Sequence, residues 1–193
     1  VPTPGPAAGG LADEIAQAGH SRPQVFAIDL AEPDGPGRLA RELTARGLEP
    51  AIVVNNAGFG LRGQACDLDR GRQLAMIDLN VRALTDLSLR FVESLRRHRG
   101  GVINIASLAS FFPGPGMAVY FAGKAYVLAL SEALYCEFRP LGVKVTCVCP
   151  GPVLTEFQAR AGLGENPLPL LTRSAERIAR DAYDGFMRDK RLV

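Results

Sequence analysis

Four compact apolar runs, each followed by a polar or glycine-bearing turn and separated from the next by a helical stretch, constrain this chain more than any other feature. They are VFAI (25–28), AIVV (51–54), GVINIAS (101–107) and VKVTCV (143–148). Apolar runs this short, rich in β-branched residues, read as strands buried on both faces. Between them lie helical patterns at 38–46, 69–98 and 119–139, preceded by a short helix at 11–18 that Gly19 stops. The longest, from Asp69 to His98, repeats Leu74, Ile77, Val81, Leu84, Leu87, Phe91 and Leu95 at three- and four-residue spacing, so it is predicted as one amphipathic helix. Gly100 and Gly101 end it.

The order βαβαβαβ predicts an α/β fold, a Rossmann-like doubly wound parallel sheet in a single domain spanning 1–193. Its ligand crevice is expected at the carboxyl ends of the strands. A chain of 193 residues, 47% hydrophobic, suffices for one such core. Twenty-two basic residues against 20 acidic leave a net charge of +2, which nominates neither nucleic acid nor a membrane surface. The opening VPTPGPAAGG has no secretory pattern and no later stretch is long and apolar enough to span a bilayer, so a cytoplasmic protein is expected. The four cysteines form no CxxC pair and neither histidine lies near one, so no metal site is expected. Cys147 and Cys149, two apart on a strand, read as small buried hydrophobes on one face.

The chemistry-bearing residues fall at strand ends or on the next helix. Tyr120 and Lys124 stand four apart, so their side chains share one helix face. An ammonium roughly 5 Å from a phenol, at an effective dielectric near 20, favours the phenolate by about 3 kcal/mol, which would lower the Tyr120 pKa toward a workable acid and base. Ser107 closes the third strand, where its hydroxyl can hold a substrate oxygen beside that phenol. Asn80 places an amide in an otherwise apolar seam. In CPGPVLTEF, Pro150 and Gly151 turn the backbone ahead of Thr155.

Taken together, NNAG (55–58), LNV around Asn80, Ser107, YxxxK at Tyr120 and Lys124, and PGxxxT from Pro150 to Thr155 resemble the classical short-chain dehydrogenase/reductase family over about residues 24–190. The resemblance implies Tyr120 as general acid and base, Lys124 on the nicotinamide ribose, Ser107 orienting the carbonyl and Asn80 completing a water-borne proton relay. It also implies a cofactor site of Asp29, Leu30, Asn56, Ala57, Gly58, Tyr120, Lys124, Pro150, Gly151, Val153 and Thr155, with Asn55 bordering it. The cofactor would be NAD or NADP, the preference undetermined, and the substrate a small alcohol or carbonyl. Phe59, Phe111, Phe112, Met117, Phe157 and the stretch 163–171 are candidates for an apolar pocket. The family often pairs subunits through the two long helices, so a homodimer or homotetramer is expected.

The chain departs from the family at its start. The glycine-rich phosphate loop and the first two strands are not found, so the domain reads as N-terminally incomplete, and DKRLV (189–193) reads as the entry to a further strand. Gly58, Gly60 and Gly63 spell G-x-G-x-x-G, but no apolar-periodic helix starts after Gly63, so this is not the phosphate loop. The alternative function is a non-catalytic scaffold or binding protein of the same fold. An isomerase or dehydratase sharing YxxxK would carry longer substrate segments.

Overall fold

A computed structural model of the chain describes residues 6–153 and 173–193. Its residues cluster into two compact units, 1–49 and 50–193. In the first, α1 (Pro6–Gln17) stops where Gly19 takes a φ of +86°, a left-handed turn that glycine enters without a Cβ clash. α2 (Gly35–Ala45) starts with Pro36 in its first turn, where the missing N–H costs nothing. Between them, residues 21–29 form no strand. This corrects the expectation for Val25–Ile28: a strand exists only through a ladder partner, and none lies alongside this run among the unit's described residues. Arg46 instead stacks its guanidinium over the Phe26 ring, 4.7 Å from the centroid.

The second unit holds a parallel sheet of β1 (Ile52–Asn55), β2 (Gly101–Ile105) and β3 (Lys144–Val148), in the order β1-β2-β3. Ile52 pairs with Gly101 and Asn55 with Asn104; Gly101 pairs with Lys144 and Ile105 with Val148. The described sheet therefore has three strands where the sequence suggested four. As DKRLV foreshadowed, the chain's last residues join the outer edge of β3 in parallel: Cys147 N donates to Arg191 O at 2.9 Å and Val193 N to Cys147 O at 2.9 Å.

Period-2 alternation sends alternate side chains to opposite faces. Val102, Val145 and Cys147 face the helices between the strands, where Leu95, Leu134, Phe138 and Val127 close over them. Ile103 and Val148 face α7 (Ala175–Met187), whose Ala182 and Phe186 cover that side. Full burial of Val102, Val127 and Leu95 contributes about 2 kcal/mol each.

The expected continuous helix from Asp69 to His98 is broken into pieces. α3 (Arg70–Ile77) runs into a π-helical turn, Asp78–Ala83, then α4 (Leu84–Arg90), and at Phe91 the backbone leaves helical geometry before α5 (Val92–Arg97). The Asp69 carboxylate caps α3 by accepting from Arg72 N at 2.7 Å. A π turn adds one residue to the helical circuit and rotates the helix beyond it, and such turns concentrate at functional positions. Asn80 sits inside it. After β2, α6 (Ala118–Phe138) runs along the sheet and ends through a short 3₁₀ turn at Gly142, whose φ of +72° turns the chain into β3. No described helix is long and apolar enough to cross a membrane.

Candidate active site

The carboxyl ends of β1, β2 and β3 converge on a small polar cluster. Beyond β2 the chain enters a 3₁₀ turn, Leu108–Phe111, capped by Ser107, whose Oγ accepts from Ala109 N at 3.1 Å. Leu108 N donates to Pro150 O at 2.9 Å, which ties this turn to the segment leaving β3. Ser110 Oγ donates to Lys124 O at 2.8 Å and so fastens the same turn to the middle of α6. Local capping and one side-chain bond therefore bring Ser107 alongside Tyr120 and Lys124.

Tyr120 and Lys124 are both nearly buried, at 8% and 7% exposure. The Tyr120 ring packs with Leu61 and Met76, and Phe59, Met117 and Phe121 surround that cluster. Its hydroxyl is hydrogen-bonded to the Ser107 side chain. Burial raises the phenol pKa above its ordinary value of 10.0, and the Ser107 bond only partly offsets this. This reverses the expectation that Lys124 pulls it down. The reason is geometric: Lys124 Nζ donates to Ile105 O at 2.7 Å and lies 5.9 Å from the centre of the Tyr120 ring, so the ammonium is anchored on β2 and burial dominates at the phenol. Burial also pushes Lys124 down to about 8, opposed by the nearby sulfurs of Cys147 and Cys149.

Asn80 differs from the other three. It is 2% exposed, and its carboxamide is committed to the backbone of Phe59: Oδ1 accepts from Phe59 N at 3.1 Å and Nδ2 donates to Phe59 O at 2.9 Å. It clamps the turn after β1. Gly58 closes against the same amide so tightly that a Cβ there would stand 2.9 Å from Asn80 Oδ1. Phe59 in turn packs against the Tyr120 cluster, so Asn80 reaches the site through this turn. One bond at each end leaves the amide one further acceptor and one further donor position, and in this structure the side chain clamps the 58–60 turn.

Asn56, Ala57 and Gly58 are exposed where β1 ends, and Pro150, Gly151 and Val153 are half-buried where β3 ends. The Asn55 side chain is turned into the protein: it is buried, with Nδ2 donating to Asn104 Oδ1 at 2.8 Å and to Ser88 Oγ at 3.0 Å. Of the apolar candidates, Phe59 and Met117 pack at the site, whereas Phe111 and Phe112 are 49% and 59% exposed. Asp29 and Leu30 belong to the first unit, where Asp29 Oδ1 accepts from Ala31 N at 2.9 Å. Thr155, Phe157 and 163–171 lie outside the described residues.

Sequence reasoning missed Ser110 and Cys149, both at this cluster. Spacing alone makes Cys149 a strand hydrophobe, and only the pairing of 106–108 with 148–150 shows it beside Ser107.

Comparison with known proteins agrees with this architecture. Residues 7–166 match the short chain dehydrogenase family. An uncharacterised oxidoreductase of Myxococcus xanthus is 33% identical over 169 residues, 87% of this chain and 65% of that protein. The NADPH-dependent 1-acyldihydroxyacetone phosphate reductase of Schizosaccharomyces pombe is 31% identical over 84% of this chain and 52% of its own length. The chain thus spans less than two thirds of these relatives. A short-chain dehydrogenase from Sphingobium yanoikuyae, solved with NADPH, superposes with a TM-score of 0.85 at 28% identity, covering 96% of this chain and 72% of that one. The parallel sheet, the residues at its carboxyl ends and these likenesses have one meaning: this chain belongs to the short-chain dehydrogenase family.

Proposed function

We propose that the protein is an NAD(P)-dependent oxidoreductase acting on an apolar alcohol or carbonyl compound, with residues 1–193 forming part of one dinucleotide-binding domain. The observation that carries this reading is the buried Tyr120 phenol, hydrogen-bonded to Ser107, one helical turn from Lys124. The cofactor fit rests on the same end of the sheet. Exposed Asn56, Ala57 and Gly58, half-buried Pro150, Gly151 and Val153, and a buried ammonium at Lys124 offer backbone and cationic donors suited to the nicotinamide ribose and carboxamide. Asp29, Leu30 and Thr155 are assigned to the cofactor by the family resemblance alone, Asp29 and Leu30 belonging to the first unit and Thr155 lying outside the described residues. When bound, the cofactor supplies or accepts the hydride.

The chain's own residues handle the proton. Ser107 and Tyr120 together would hold the substrate oxygen, Ser107 by its hydroxyl and Tyr120 by its phenolic proton. Because burial keeps the phenol protonated well past neutrality, Tyr120 is poised to give its proton to the oxygen of a carbonyl as that oxygen gains negative charge. In the reverse direction the alcohol proton returns to Tyr120 oxygen. Lys124, with a pKa near 8, is the group from which that proton is replaced at neutral pH. Asn80 serves as the clamp of the 58–60 turn. The apolar wall of Leu61, Met76, Phe59 and Met117 excludes water from the phenol and favours a substrate with hydrocarbon next to its carbonyl. Pairing of subunits through the long helices fits the exposed Leu74, Ile77, Leu89 and Tyr126.

The test is a fluorescence titration of the full-length protein with NADH and NADPH, followed by a screen of apolar ketones and aldehydes for cofactor oxidation. Saturable binding with turnover supports the enzyme. Absence of both turns the reading to the non-catalytic scaffold.

A further inference from the structure

Ser107 and Tyr120 are to meet on one substrate oxygen, yet they stand on different elements. Ser107 follows β2 and caps the 3₁₀ turn 108–111, whereas Tyr120 lies in the first turn of α6. The chain between them runs through Pro113, Gly114, Pro115 and Gly116, with Gly116 at a φ of +81°. A covalent path of that kind does not hold two hydroxyls to within about 0.5 Å of a shared working geometry, so bonds between the elements must do it.

Two such bonds converge on Lys124 and bracket Ser107 in sequence. Lys124 Nζ donates to Ile105 O at 2.7 Å, just before Ser107, and Lys124 O accepts from Ser110 Oγ at 2.8 Å, just after it. The donors differ in their other duties. The Lys124 ammonium also belongs to the proposed cofactor site, so β2 has only a share in it. The Ser110 hydroxyl is buried, at 9% exposure, and gives its one proton to a mid-helix carbonyl whose second lone pair the helix ladder leaves over. Lys124 stands one helical turn, about 6 Å, beyond Tyr120 along the axis of α6, and a helix is rigid over that span. Fixing the Lys124 carbonyl against the 108–111 turn therefore fixes the height of the phenol against Ser107. The turn itself does not depend on this hydroxyl. Ser110 N donates to Ser107 O at 2.9 Å and Ala109 N to Ser107 Oγ at 3.1 Å, and both bonds survive with alanine at 110.

We propose that Ser110 is a positioning residue of the active centre: by holding the 108–111 turn on the Lys124 carbonyl, its hydroxyl sets the contact between Ser107 and Tyr120 through which the two grip one substrate oxygen. Ser110 acts through Ser107 and handles neither the proton nor the hydride. Its effect on turnover rests on the oxidoreductase function proposed for this site; its effect on the Ser107–Tyr120 contact does not.

The experiment compares full-length wild type with Ser110→Ala and Ser110→Thr by two readouts. The first is the NMR signal of the Tyr120 ring carbon that bears the hydroxyl, in protein labelled with ¹³C-tyrosine, the Tyr120→Phe spectrum identifying it among the four tyrosines. The second is kcat and KM, per folded molecule, with an apolar ketone that wild type reduces. In Ser110→Ala the Tyr120 signal should move as the contact with Ser107 loosens, while kcat falls about 10-fold and KM stays within about 2-fold, because a misplaced donor is felt most where charge develops on the oxygen. Ser110→Thr restores a hydroxyl on the same carbon and should bring both readouts back toward wild type. A serine that merely supports the fold would lower the thermal midpoint and leave the Tyr120 signal and kcat where they were, and that result overturns the proposal. So does a folded threonine variant that behaves as the alanine variant does, or a rise in KM with kcat intact. A wild-type protein without turnover contradicts the enzymatic reading, while the Tyr120 signal in Ser110→Ala still decides whether Ser110 sets the contact.

Discussion

Two buried polar clusters lie under α6, only a few residues apart in sequence, and they are built on opposite rules. The first joins Asn55, Ser88, Asn104 and Ser131. Asn55 Nδ2 donates to Asn104 Oδ1 at 2.8 Å, Asn104 Nδ2 to Ser131 Oγ at 2.9 Å, and the two serines return their protons to the carbonyls of Leu84 and Val127 at 2.8 and 2.7 Å. Its members are neutral, and each side chain has its partners within the protein. The second joins Ser107, Tyr120, Lys124 and Cys149, whose ionisable members are all shifted from their ordinary values. A saturated neutral network fixes the spacing of β1, β2 and α6 but has no proton to exchange. A cluster of desolvated ionisable groups costs stability and in return holds protons near their point of transfer.

The contrast breaks most visibly at Tyr120. Tyr120→Phe keeps the ring among Leu61 and Met76 and removes only the hydroxyl, so thermal stability should hold while kcat falls by about 1,000-fold or more. Cofactor titration separates this from lost binding, since affinity should change little. A variant with most of its turnover intact removes Tyr120 from the proton path.

Lys124 carries the cost of the second cluster. Its pKa falls from 10.5 to about 8 on folding, so below pH 8 the folded chain holds a desolvated charge that the unfolded chain solvates freely. Between pH 8 and 10.5 the unfolded state binds a proton that the folded state does not, and stability therefore rises with pH across that window. The penalty below it is about 3 kcal/mol. Lys124→Met should accordingly resist denaturant better than wild type at neutral pH, converge with it at about pH 10, and lose activity. Denaturation curves of both proteins at the two pH values check this, and equal midpoints at neutral pH would contradict the burial penalty.

Asn104 probes the first cluster. Asn104→Ala strips Ser131 of its donor, leaves the Asn55 amide with only its serine and carbonyl partners, and opens a cavity at a fully buried position, for a loss of about 2 to 3 kcal/mol. Turnover per folded molecule should survive. Urea titration with activity measured below the transition reads both, and a stable but inactive variant would move Asn104 into the chemistry.

How legible these clusters are in the sequence obeys the same division. Tyr120, Lys124 and Ser107 can be found because fixed offsets on a helix and at a strand end place side chains with little help from tertiary context. The strands at 52–55, 101–105 and 144–148 can be found because unbroken β-branched runs of that length suit few other settings. What escapes depends on packing between distant segments. Val25–Ile28 has a strand's composition, yet pairing is a property of two chains of backbone and no composition supplies the second. The break of the long helix at Asn80 leaves the apolar repeat intact, since a π turn shifts the register by one residue and Val81 and Leu84 remain usable on either side. The inward turn of the Asn55 side chain escapes because a turn motif says nothing about which amide faces a buried Asn104. The direction of the Tyr120 shift escapes too, because spacing puts the ammonium near the phenol while the carbonyl of Ile105 draws it away.

The finest test of the comparison is Ser131→Ala. Ser131 Oγ accepts from Asn104 and donates to Val127 O, so its removal leaves one buried N–H on Asn104 without an acceptor, while the Val127 carbonyl loses a second bond to a side chain of its own helix. The change should cost about 1 kcal/mol and leave kcat and its pH profile where they were. Ser131 is only seven residues along α6 from Lys124, so an altered pH profile is the sensitive readout. Were the limb near pH 8 to move with Ser131→Ala, the two clusters would be electrostatically one, and the buried amides would be tuning the lysine as well as spacing the sheet.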